Sequence, residues 1–386
     1  MMSDSQSLHV VLFLPSIETG GVERNAIIVA NHLVQKGVLV TIVYTRSVDV
    51  VMQRFDNRVN FYPIGKGVRI PYVHPRISDA IVIFFGFIRF LHQLPFKRST
   101  VILSFQSNII AIIASIFNAI PVIARVSNHP SHVIYEVGRI QRYAERLKRI
   151  FYRYATVVVT NSEVTSKHFR QILSIPVETI YNPIDTSRLI EIAREQVEHP
   201  WLVAKRYPVV IAVGRLSKQK NFPLLINAFA FVLDQIDARL ILVGEGEQRG
   251  ELESLVEDLG LAEKVDFLGY QSNVYKFVSR SDLFVLSSNF EGMPNVLVEA
   301  IAAGVPVVST NCLSGPSEIL NDGRCGDLVP IGDKEKMAAA IVKNLTDLEY
   351  ARNKHNIAYG QLSRFDYSRV MKLYESLLQR VANIDG

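Results

Sequence analysis

The chain has 386 residues, of which 48% are hydrophobic and 20% are charged, a composition typical of folded globular proteins. This length accommodates two domains with separate cores, and the absence of low-complexity tracts excludes a largely disordered chain. Two cysteines, Cys312 and Cys325, exclude a disulfide framework and are expected to fill the core. Residues 1–9 lack the basic flank and apolar segment of a secretory signal, so we expect a cytoplasmic protein.

Charge is divided unevenly along the chain. Residues 1–182 contain 20 Lys and Arg against 10 Asp and Glu, whereas the remaining residues contain 22 against 27. An N-terminal excess of this size predicts an anionic partner such as phospholipid, a diphosphate-bearing substrate or nucleic acid. Scattered solubilising charge is the alternative explanation.

The first half contains five short β-branched runs, each followed by a loop or by a stretch with helical periodicity. They begin at His9, Val40, Val101, Pro121 and Thr156. Continuous apolar runs indicate strands that are covered on both faces, and alternation with helices indicates parallel βαβ units. The first half is therefore predicted to form a Rossmann-like, doubly wound parallel sheet.

A glycine pair, Gly20 and Gly21, separates the first predicted strand from an amphipathic helix. Glycine in this position lets the backbone approach a phosphate or a sugar closely, and the helix N-terminus offers its dipole. A simple bend in the chain would use the same two residues.

Two segments of the first half are candidates for membrane contact. The apolar stretch 79–98 is interrupted by Arg89 and is too short to span a bilayer comfortably, so we expect it to lie at the interface. In residues 139–154, arginines recur at steps of three and four, which places Arg142, Arg146 and Arg149 on one helical face beside an apolar stripe. Such a face is typical of helices on an anionic membrane surface, and two ordinary domain helices are the alternative.

The predicted strand that begins at Pro121 runs into a loop with two histidines, His129 and His132. Their i, i+3 spacing occurs in some metal sites. No carboxylate or thiol adjoins the pair to complete a ligand set, so a zinc site is not predicted.

The second half repeats the scheme in runs that begin at Tyr207, Ala238, Lys264, Ser281 and Gly304. Turn chemistry around Asn182-Pro183 separates the halves, so we predict domains at 1–182 and 183–364, then a C-terminal helix at 365–386 that packs back on the first domain. Ligands of open α/β sheets bind beyond the carboxyl ends of the strands. Two such sheets facing each other would place the site in the cleft between the domains.

Arg215 and Lys220 follow the first predicted strand of the second half. Two cations held five residues apart at a strand end can neutralise a diphosphate and stabilise the charge that grows on it as a sugar departs. A merely basic loop is the alternative.

The segment GEGEQRG from Gly244 is similar to a dinucleotide-binding fingerprint. However, its third glycine is one position late, and Glu245 and Glu247 would repel a pyrophosphate. We therefore expect a strand-to-helix turn here and no NAD site.

The most specific signal lies in residues 287–310, where seven residues separate Glu291 from Glu299. A carboxylate accepts two hydroxyl hydrogen bonds, which suits the vicinal diols of a ribose or a hexose. Gly292, Met293, Pro294 and Asn295 open a predicted helix, whose N-terminal N–H groups favour an anion. The alternative is two solvated glutamates on a surface helix.

Farther along, Gly315-Pro316 precedes another predicted helix, with Ser314 and Ser317 as candidate N-caps. The same Ser-Gly-Pro-Ser-Glu segment is similar to one in transferases that extend lipid-linked oligosaccharides.

Together these motifs resemble the family-4 retaining glycosyltransferases over nearly the whole chain. The fold of that family, called GT-B, pairs two Rossmann-like domains. The resemblance implies that Glu291 lies near the transferred sugar, that Glu299 binds the nucleotide ribose, and that Arg215 and Lys220 bind the donor pyrophosphate.

The resemblance also assigns roles to the remaining motifs. Backbone around the sugar and phosphates would come from five consecutive residues: Gly292, Met293, Pro294, Asn295 and Val296. Gly20 and Gly21 match the N-terminal glycine loop beside the reaction centre. His129 matches a histidine that reaches the hydroxyls of the transferred sugar, and His132 in the same loop is the alternative.

These roles imply transfer of a hexose or N-acetylhexosamine from a nucleotide diphosphate sugar, with UDP as the expected nucleotide, to a glycan acceptor on a polyprenyl diphosphate. The protein would work at the cytoplasmic face of a membrane, bound peripherally to its anionic surface. Nucleic acid is not an expected partner, because no recognition module accompanies the basic face. The rival functions are a nucleotide-sugar epimerase of similar two-domain shape and a non-catalytic sugar-nucleotide-binding protein.

The sequence also predicts transfer without a metal or any other cofactor. It contains no Asp-any-Asp triplet, the usual ligand set of the other large transferase fold. Arg215, Lys220 and a helix N-terminus can supply the positive charge instead. The resemblance implies retention at the anomeric carbon by front-face attack.

Overall fold

A computed structural model describes residues 8–18, 20–65, 75–95, 97–127 and 149–382. The chain divides into two compact units. The first unit consists of Met1–Pro183 together with Ser368–Gly386, and the second unit consists of Ile184–Tyr367.

A parallel sheet forms the centre of the first unit. Its strands are β1 (His9–Phe13), β3 (Leu39–Tyr44), β5 (Asn60–Pro63), β6 (Thr100–Ser104), β7 (Val122–Val126), β8 (Val157–Thr160) and β9 (Val177–Thr179), in the order β5-β3-β1-β6-β7-β8-β9. A separate small parallel pair is formed by β2 (Ser16–Ile17) and β4 (Arg46–Ser47). The helices described in this unit are Gly21–Gln35, Asp49–Met52, Pro75–His92, Asn108–Asn118, Glu163–Ile172 and Tyr367–Ala382.

The core of the first unit lies between this sheet and its helices. All five residues of β1 and of β6 are buried, as expected for strands covered on both faces. The helix Pro75–His92 contributes Phe87 and Leu91 to the core, and the Phe87 ring stacks on Phe13 with centroids 4.1 Å apart. The apolar stretch predicted to lie at a membrane interface therefore packs one of its faces in the core of this unit.

The last helix of the chain completes the first unit around a buried arginine. Arg125, which is 1% exposed, donates from Nε to the Tyr374 hydroxyl (2.9 Å) and from a terminal nitrogen to Asn182 Oδ1 (2.5 Å). Its other terminal nitrogen donates to Ser127 Oγ (2.7 Å). A buried guanidinium needs such partners, because desolvation without them is costly. The helix Tyr367–Ala382 is thereby joined to β7 and to the segment that precedes the second unit.

A second parallel sheet forms the centre of the second unit. Its strands are β10 (Val209–Val213), β11 (Arg239–Val243), β12 (Val265–Gly269), β13 (Leu283–Leu286), β14 (Val307–Thr310) and β15 (Asp327–Val329), in the order β12-β11-β10-β13-β14-β15. The helices of this unit are Thr186–Ala193, Pro200–Ala204, Phe222–Leu233, Arg249–Asp258, Tyr275–Val278, Asn295–Ala302, Pro316–Ile319, Lys334–Thr346 and Leu348–Gly360.

Both sheets reverse their strand order at one point. In the first sheet the chain adds β3 and β5 on one side of β1 and then returns to add β6 on its other side. In the second sheet it adds β11 and β12 on one side of β10 and then returns to add β13 on its other side. Loops that leave the carboxyl ends of two such strands diverge and open a crevice for ligands. The fold predicts one candidate ligand site beside each of these strand pairs.

The predicted fold class, two Rossmann-like parallel-sheet units, is confirmed, and all ten predicted strands are present. Three short edge strands, β5, β9 and β15, were not predicted from the sequence. None of the helices in the described ranges has both the length and the hydropathy needed to cross a bilayer.

Candidate functional site

The site in the second unit is built on the neighbouring strands β10 and β13. The chain leaves β10 at Val213 and passes through Arg215 and Lys220 before the helix Phe222–Leu233. It leaves β13 at Leu286 and reaches Glu291 five residues later. The two motifs that sequence analysis treated separately therefore meet at the switch point of this sheet.

Lys220 and Glu291 form a buried ion pair. Lys220 Nζ lies 2.6 Å from Glu291 Oε1, and the two side chains are 16% and 8% exposed. The Ser288 hydroxyl donates to the same carboxylate oxygen at 2.7 Å. Because little water screens them, the two charges attract each other strongly and fix the position of the carboxylate.

Hydrogen bonds also join the two loops that carry this pair. The Ser287 hydroxyl donates to the Lys220 carbonyl (2.8 Å), and the Asn289 N–H donates to the Gln219 carbonyl (2.8 Å). The Gln219 side-chain amide donates in turn to the Phe290 carbonyl (3.1 Å). These hydrogen bonds hold the loops after β10 and β13 together.

Arg215 and Lys220 differ in their surroundings. A Cβ on Gly214 would lie 3.2–3.3 Å from three carbons of the Lys220 side chain, so the aliphatic stem of Lys220 runs close along this glycine. Arg215 is exposed and has no ion-pair partner among the described residues. Arg215 is therefore available to bind an anion, whereas Lys220 is already paired with Glu291.

Both glutamates of the motif are buried. Glu291 is 6% exposed, and Glu299, the fifth residue of the helix Asn295–Ala302, is 5% exposed. The alternative of two solvated glutamates on a surface helix is therefore wrong. Burying a carboxylate is costly unless partners compensate it, which makes two such residues in one motif unusual for a merely structural role.

The helix that carries Glu299 begins at Asn295, after the buried Gly292, Met293 and Pro294. Pro294 is its N-cap residue and makes no side-chain hydrogen bond to the first turn. Asn295 and Val296 in that turn are half-buried. The positive end of the helix dipole therefore lies four residues after Glu291 along the chain.

The segment around Gly315 supports this loop and does not cap its own helix. Ser314 donates its hydroxyl to the Gly292 carbonyl at 2.8 Å. The N-cap of the helix Pro316–Ile319 is Gly315, and no side chain caps it, so the prediction of Ser314 or Ser317 as the cap was wrong. Gly315 has a φ of 55°, and a Cβ there would lie 2.4 Å from Pro294 Cδ and 2.7 Å from the Gly292 oxygen.

The GEGEQRG segment packs against the backbone of the loop that carries Arg215. A Cβ on Gly244 would lie 1.9 Å from the Gly214 oxygen, and one on Gly246 would lie 2.2 Å from the Leu216 oxygen. The Leu216 N–H donates to the Glu245 carbonyl at 2.9 Å. These glycines are needed for backbone packing, a role that sequence analysis missed although their spacing was the available signal.

Cys312 lies near the buried pair. It is 1% exposed, and burial, followed by the negative charge of Glu291, raises the pKa of its thiol to about 12. The thiol is therefore neutral at physiological pH and is unsuited to act as a nucleophile. Burial also raises the pKa of Cys325, and both cysteines fill the core as predicted.

A related arrangement lies between β1 and β6 in the first unit. Gly20 is the N-cap and Gly21 the first residue of the helix Gly21–Gln35. The buried Glu23 turns back, so that its Oε2 lies 2.5 Å from where a Cβ on Gly20 would be. Gln106, just after β6, donates from its amide to Glu23 Oε1 at 2.7 Å. Sequence analysis missed Gln106, for which the position after a central strand was the only signal.

The second glycine of this turn has few close neighbours. Among the residues that the structure describes, no atom lies within 4 Å of where a Cβ on Gly21 would be. The backbone at Gly21 can therefore be approached closely, which fits the predicted glycine loop.

The remaining predicted site residues are distributed as follows. His129, Arg142 and Arg146 lie outside the described residues. Arg149 is described and lies, partly exposed, in a helical turn at 149–152. In the described ranges, no three His, Cys, Asp or Glu side chains are grouped as a metal site would require.

Comparisons with known proteins identify the family. The model described as Glycosyltransferase Family 4 matches residues 19–188, and the model described as Glycosyl transferases group 1 matches residues 193–361. The N-acetylgalactosamine-N,N'-diacetylbacillosaminyl-diphospho-undecaprenol 4-alpha-N-acetylgalactosaminyltransferase of Campylobacter jejuni is 31% identical over 69% of this chain and 72% of its own. The chain belongs to the family-4 glycosyltransferases. The resemblance inferred from the motifs is confirmed.

Two further relatives match this glycosyltransferase over nearly its whole length. The GalNAc-alpha-(1->4)-GalNAc-alpha-(1->3)-diNAcBac-PP-undecaprenol alpha-1,4-N-acetyl-D-galactosaminyltransferase of Campylobacter jejuni is 25% identical over 97% of this chain and 99% of its own. The crystal structure of Anabaena HepE, which contains UDP and glucose, superposes with a TM-score of 0.77 at 20% identity. It covers 97% of this chain and 100% of HepE, and at this identity the likeness shows the fold alone.

Proposed function

We propose that this glycosyltransferase transfers a hexose or an N-acetylhexosamine from a UDP-sugar to a polyprenyl-diphosphate-linked saccharide, with retention at the anomeric carbon and without a metal. The observation that carries the proposal is the buried Lys220–Glu291 pair, with Nζ 2.6 Å from Oε1. It places a cation and a carboxylate together at the switch point of a Rossmann-like sheet, where a diphosphate and its sugar bind in such folds.

In this proposal each site residue has one role toward the donor. The exposed Arg215 contacts the diphosphate, and Lys220 reaches it from the buried pair. Glu299 accepts the ribose hydroxyls, and Glu291 accepts hydroxyls of the transferred sugar. The backbone from Gly292 to Val296 and the start of the helix Asn295–Ala302 surround the phosphates.

The chemistry requires stabilisation of a leaving group. The bond between the anomeric carbon and the phosphate oxygen breaks, and the acceptor hydroxyl forms the new bond on the same face of the sugar. The proton of the acceptor hydroxyl passes to the departing phosphate, so no protein group has to act as a strong base. Arg215 and Lys220 neutralise the charge that grows on the diphosphate, the role that a metal ion has in other transferases.

The acceptor and the location are proposed on different grounds. Both Campylobacter relatives have names that specify undecaprenyl-diphosphate-linked saccharides, which supports a lipid-linked acceptor. The basic excess of residues 1–182 supports a peripheral position at the inner, cytoplasmic face of a membrane. In this proposal Arg142, Arg146 and Arg149 contact anionic lipid or the acceptor diphosphate, and His129 and Gly21 contact the transferred sugar.

A screen of radiolabelled nucleotide sugars against polyprenyl-diphosphate-linked acceptors tests the proposal, with the product identified by mass. We expect a mass increase of one sugar and an α-anomeric linkage from an α-linked donor. Isomerised nucleotide sugar formed without an acceptor would make the chain an epimerase. Saturable UDP-sugar binding with no turnover on any acceptor would make it a non-catalytic sugar-nucleotide-binding protein.

A further inference from the structure

Three apolar side chains at one corner of the first unit are largely exposed. Phe85 is 64% exposed on the helix Pro75–His92, and Phe117 and Ile116 are 68% and 54% exposed on the helix Asn108–Asn118. The half-buried Phe84 joins the two helices, because its ring centroid lies 5.3 Å from that of Phe85 and 6.4 Å from that of Phe117. We call these four side chains the aromatic corner.

The corner is supported from below by the core. Phe87 and Leu91, on the buried side of the first helix, and Ala111 and Ile112, on that of the second, are fully buried and belong to one hydrophobic cluster. The two helices pack extensively against each other. The exposed rings are therefore held on fixed backbone, and a partner surface would not have to order them.

Basic side chains border the corner. Arg89 is exposed one helical turn beyond Phe85. Lys97 Nζ lies 3.4 Å from Asn118 Oδ1, which places this lysine beside the residue that follows Phe117. Arg98 is exposed next to Lys97.

Acidic side chains are nearly absent from the surrounding sequence. Between Asp56 and Glu136 the chain has one carboxylate, Asp79, against eight Lys and Arg. Exposed aromatics bordered by cations, in a stretch of sequence with a single carboxylate, match the boundary between lipid headgroups and acyl chains, where rings insert and cations meet phosphates.

We infer that the aromatic corner is the surface by which the first unit docks on an anionic lipid membrane. This inference rests on the proposed function, because a polyprenyl-linked acceptor requires the enzyme to work at a membrane. A second copy of the chain is a poorer occupant. A two-fold interface through the corner would bring Arg89, Lys97 and Arg98 against the same cations of the other copy.

Vesicle flotation tests the inference with the full-length enzyme. The vesicles contain 30% phosphatidylglycerol in phosphatidylcholine, with phosphatidylcholine alone for comparison. The double variant Phe85→Ser/Phe117→Ser should lose tenfold or more in vesicle affinity. The double variant Arg89→Glu/Arg98→Glu should bind the anionic vesicles more weakly than the wild type, and its binding should depend much less on salt concentration.

A matched control removes an equally exposed apolar residue from the second unit. Leu348 is 64% exposed, like Phe85, and Leu348→Ser should bind vesicles as the wild type does. All variants should keep wild-type transfer to a water-soluble, short-chain diphosphate-linked acceptor, which shows that they are folded.

Several outcomes separate the inference from the function on which it rests. Vesicle binding that is unchanged in Phe85→Ser/Phe117→Ser would overturn the docking surface. The same follows if the wild type transfers sugar to the soluble acceptor yet floats with no vesicle, and then the proposed transfer reaction stands without its membrane location. A dimer that the serine variant dissociates, with vesicle binding unaffected, would assign the corner to a second copy. Corner-dependent flotation without transfer to any acceptor would remove the proposed function and leave the docking surface.

Discussion

Lys220 Nζ and Glu291 Oε1 lie 2.6 Å apart, although the two residues belong to different loops of the second unit. Both side chains are largely shielded from solvent, so each charge needs the opposite charge of the other to offset the cost of burial. A donor diphosphate that approaches Lys220 competes with Glu291 for the ammonium group. A substitution at either residue therefore changes the surroundings of the other.

Lys220→Ala and Arg215→Ala should both slow transfer but should differ in stability. Each removes a cation from the leaving diphosphate, and a loss of about 2–4 kcal/mol corresponds to a roughly 30- to 1000-fold lower kcat/KM. Lys220→Ala also leaves the Glu291 carboxylate buried without its partner, at a cost of about 3 kcal/mol in unfolding free energy. The exposed Arg215 has no such role in stability. Steady-state kinetics and urea unfolding measure the two effects, and wild-type rates in Arg215→Ala would contradict its role.

Glu299→Ala and Glu291→Ala should affect different kinetic constants. Ribose contacts persist from the bound donor to the transition state, so Glu299→Ala should raise KM tenfold or more and change kcat little. Contacts to the transferred sugar can strengthen in the transition state, so Glu291→Ala should mainly lower kcat. Donor titrations with the purified variants separate these effects, and nearly unchanged kinetics in both would refute the donor-site assignment.

Gly315→Ala should disturb the donor loop through steric contact. The added Cβ would meet Pro294 and the Gly292 oxygen, which would push the loop before the helix Asn295–Ala302. We expect donor affinity to fall at least tenfold. Gly323→Ala is the matched control, because its φ is also positive (89°) but the nearest atom to its Cβ would be 3.9 Å away. Strain alone, about 1 kcal/mol, should affect both variants, so an equal loss of affinity would argue against the steric explanation.

Transfer should continue in excess EDTA. Arg215 and Lys220 provide positive charge beside β10, and the helix N-terminus at Asn295 adds its dipole. Rates measured after dialysis against chelator, with and without added magnesium or manganese, give a direct test. A rate that collapses in chelator and returns with one of these ions would establish a metal requirement and overturn the proposed mechanism.

The first unit should become less stable as the pH decreases, because of His9. This residue is 5% exposed, its ring nitrogens face the hydroxyls of Thr41 (2.9 Å) and Thr100 (3.4 Å), and burial lowers its pKa from 6.5 to about 4. Between these two values the unfolded chain binds a proton that the folded chain does not. The unfolding free energy therefore decreases as the pH falls through this window, by about 3 kcal/mol at pH 4.

His9→Gln should remove this part of the pH dependence. The single tryptophan, Trp201, lies in the second unit, so its fluorescence reports that unit while circular dichroism reports both. As the pH falls from 7.5 to 5, the urea midpoint from circular dichroism should fall farther in the wild type than in the variant. Midpoints from fluorescence should not depend on the substitution, and parallel pH profiles by circular dichroism would contradict the role of His9.

The sequence predicted the central strands and the main motifs because their signals are local. β10 and β13 are continuous apolar runs, and Glu291 and Glu299 are related by a fixed spacing along one segment. The edge strand β15 has only three residues, of which Asp327 and Leu328 are partly exposed, so neither periodicity nor length identified it.

What the sequence did not show depends on contacts between distant segments. The pairing of Lys220 with Glu291 requires the order of strands in the sheet, and so does the contact of Gln106 with Glu23. Ser314 follows a pattern that also suits a helix cap, and only the fold shows that its hydroxyl bonds to Gly292. Local patterns identify which residues are special, whereas tertiary structure determines their partners.

The helix that holds Tyr374 against Arg125 also sets the order in which the chain can fold during synthesis. Ser127 and Asn182 can contact the buried guanidinium early, but Tyr374 becomes available only after the ribosome has made all of Ile184–Tyr367 and the helix that follows. At ordinary translation rates this delay is on the order of ten seconds or more. During that time the nascent first unit exposes the face on which this helix packs, and one nitrogen of Arg125 lacks its protein partner.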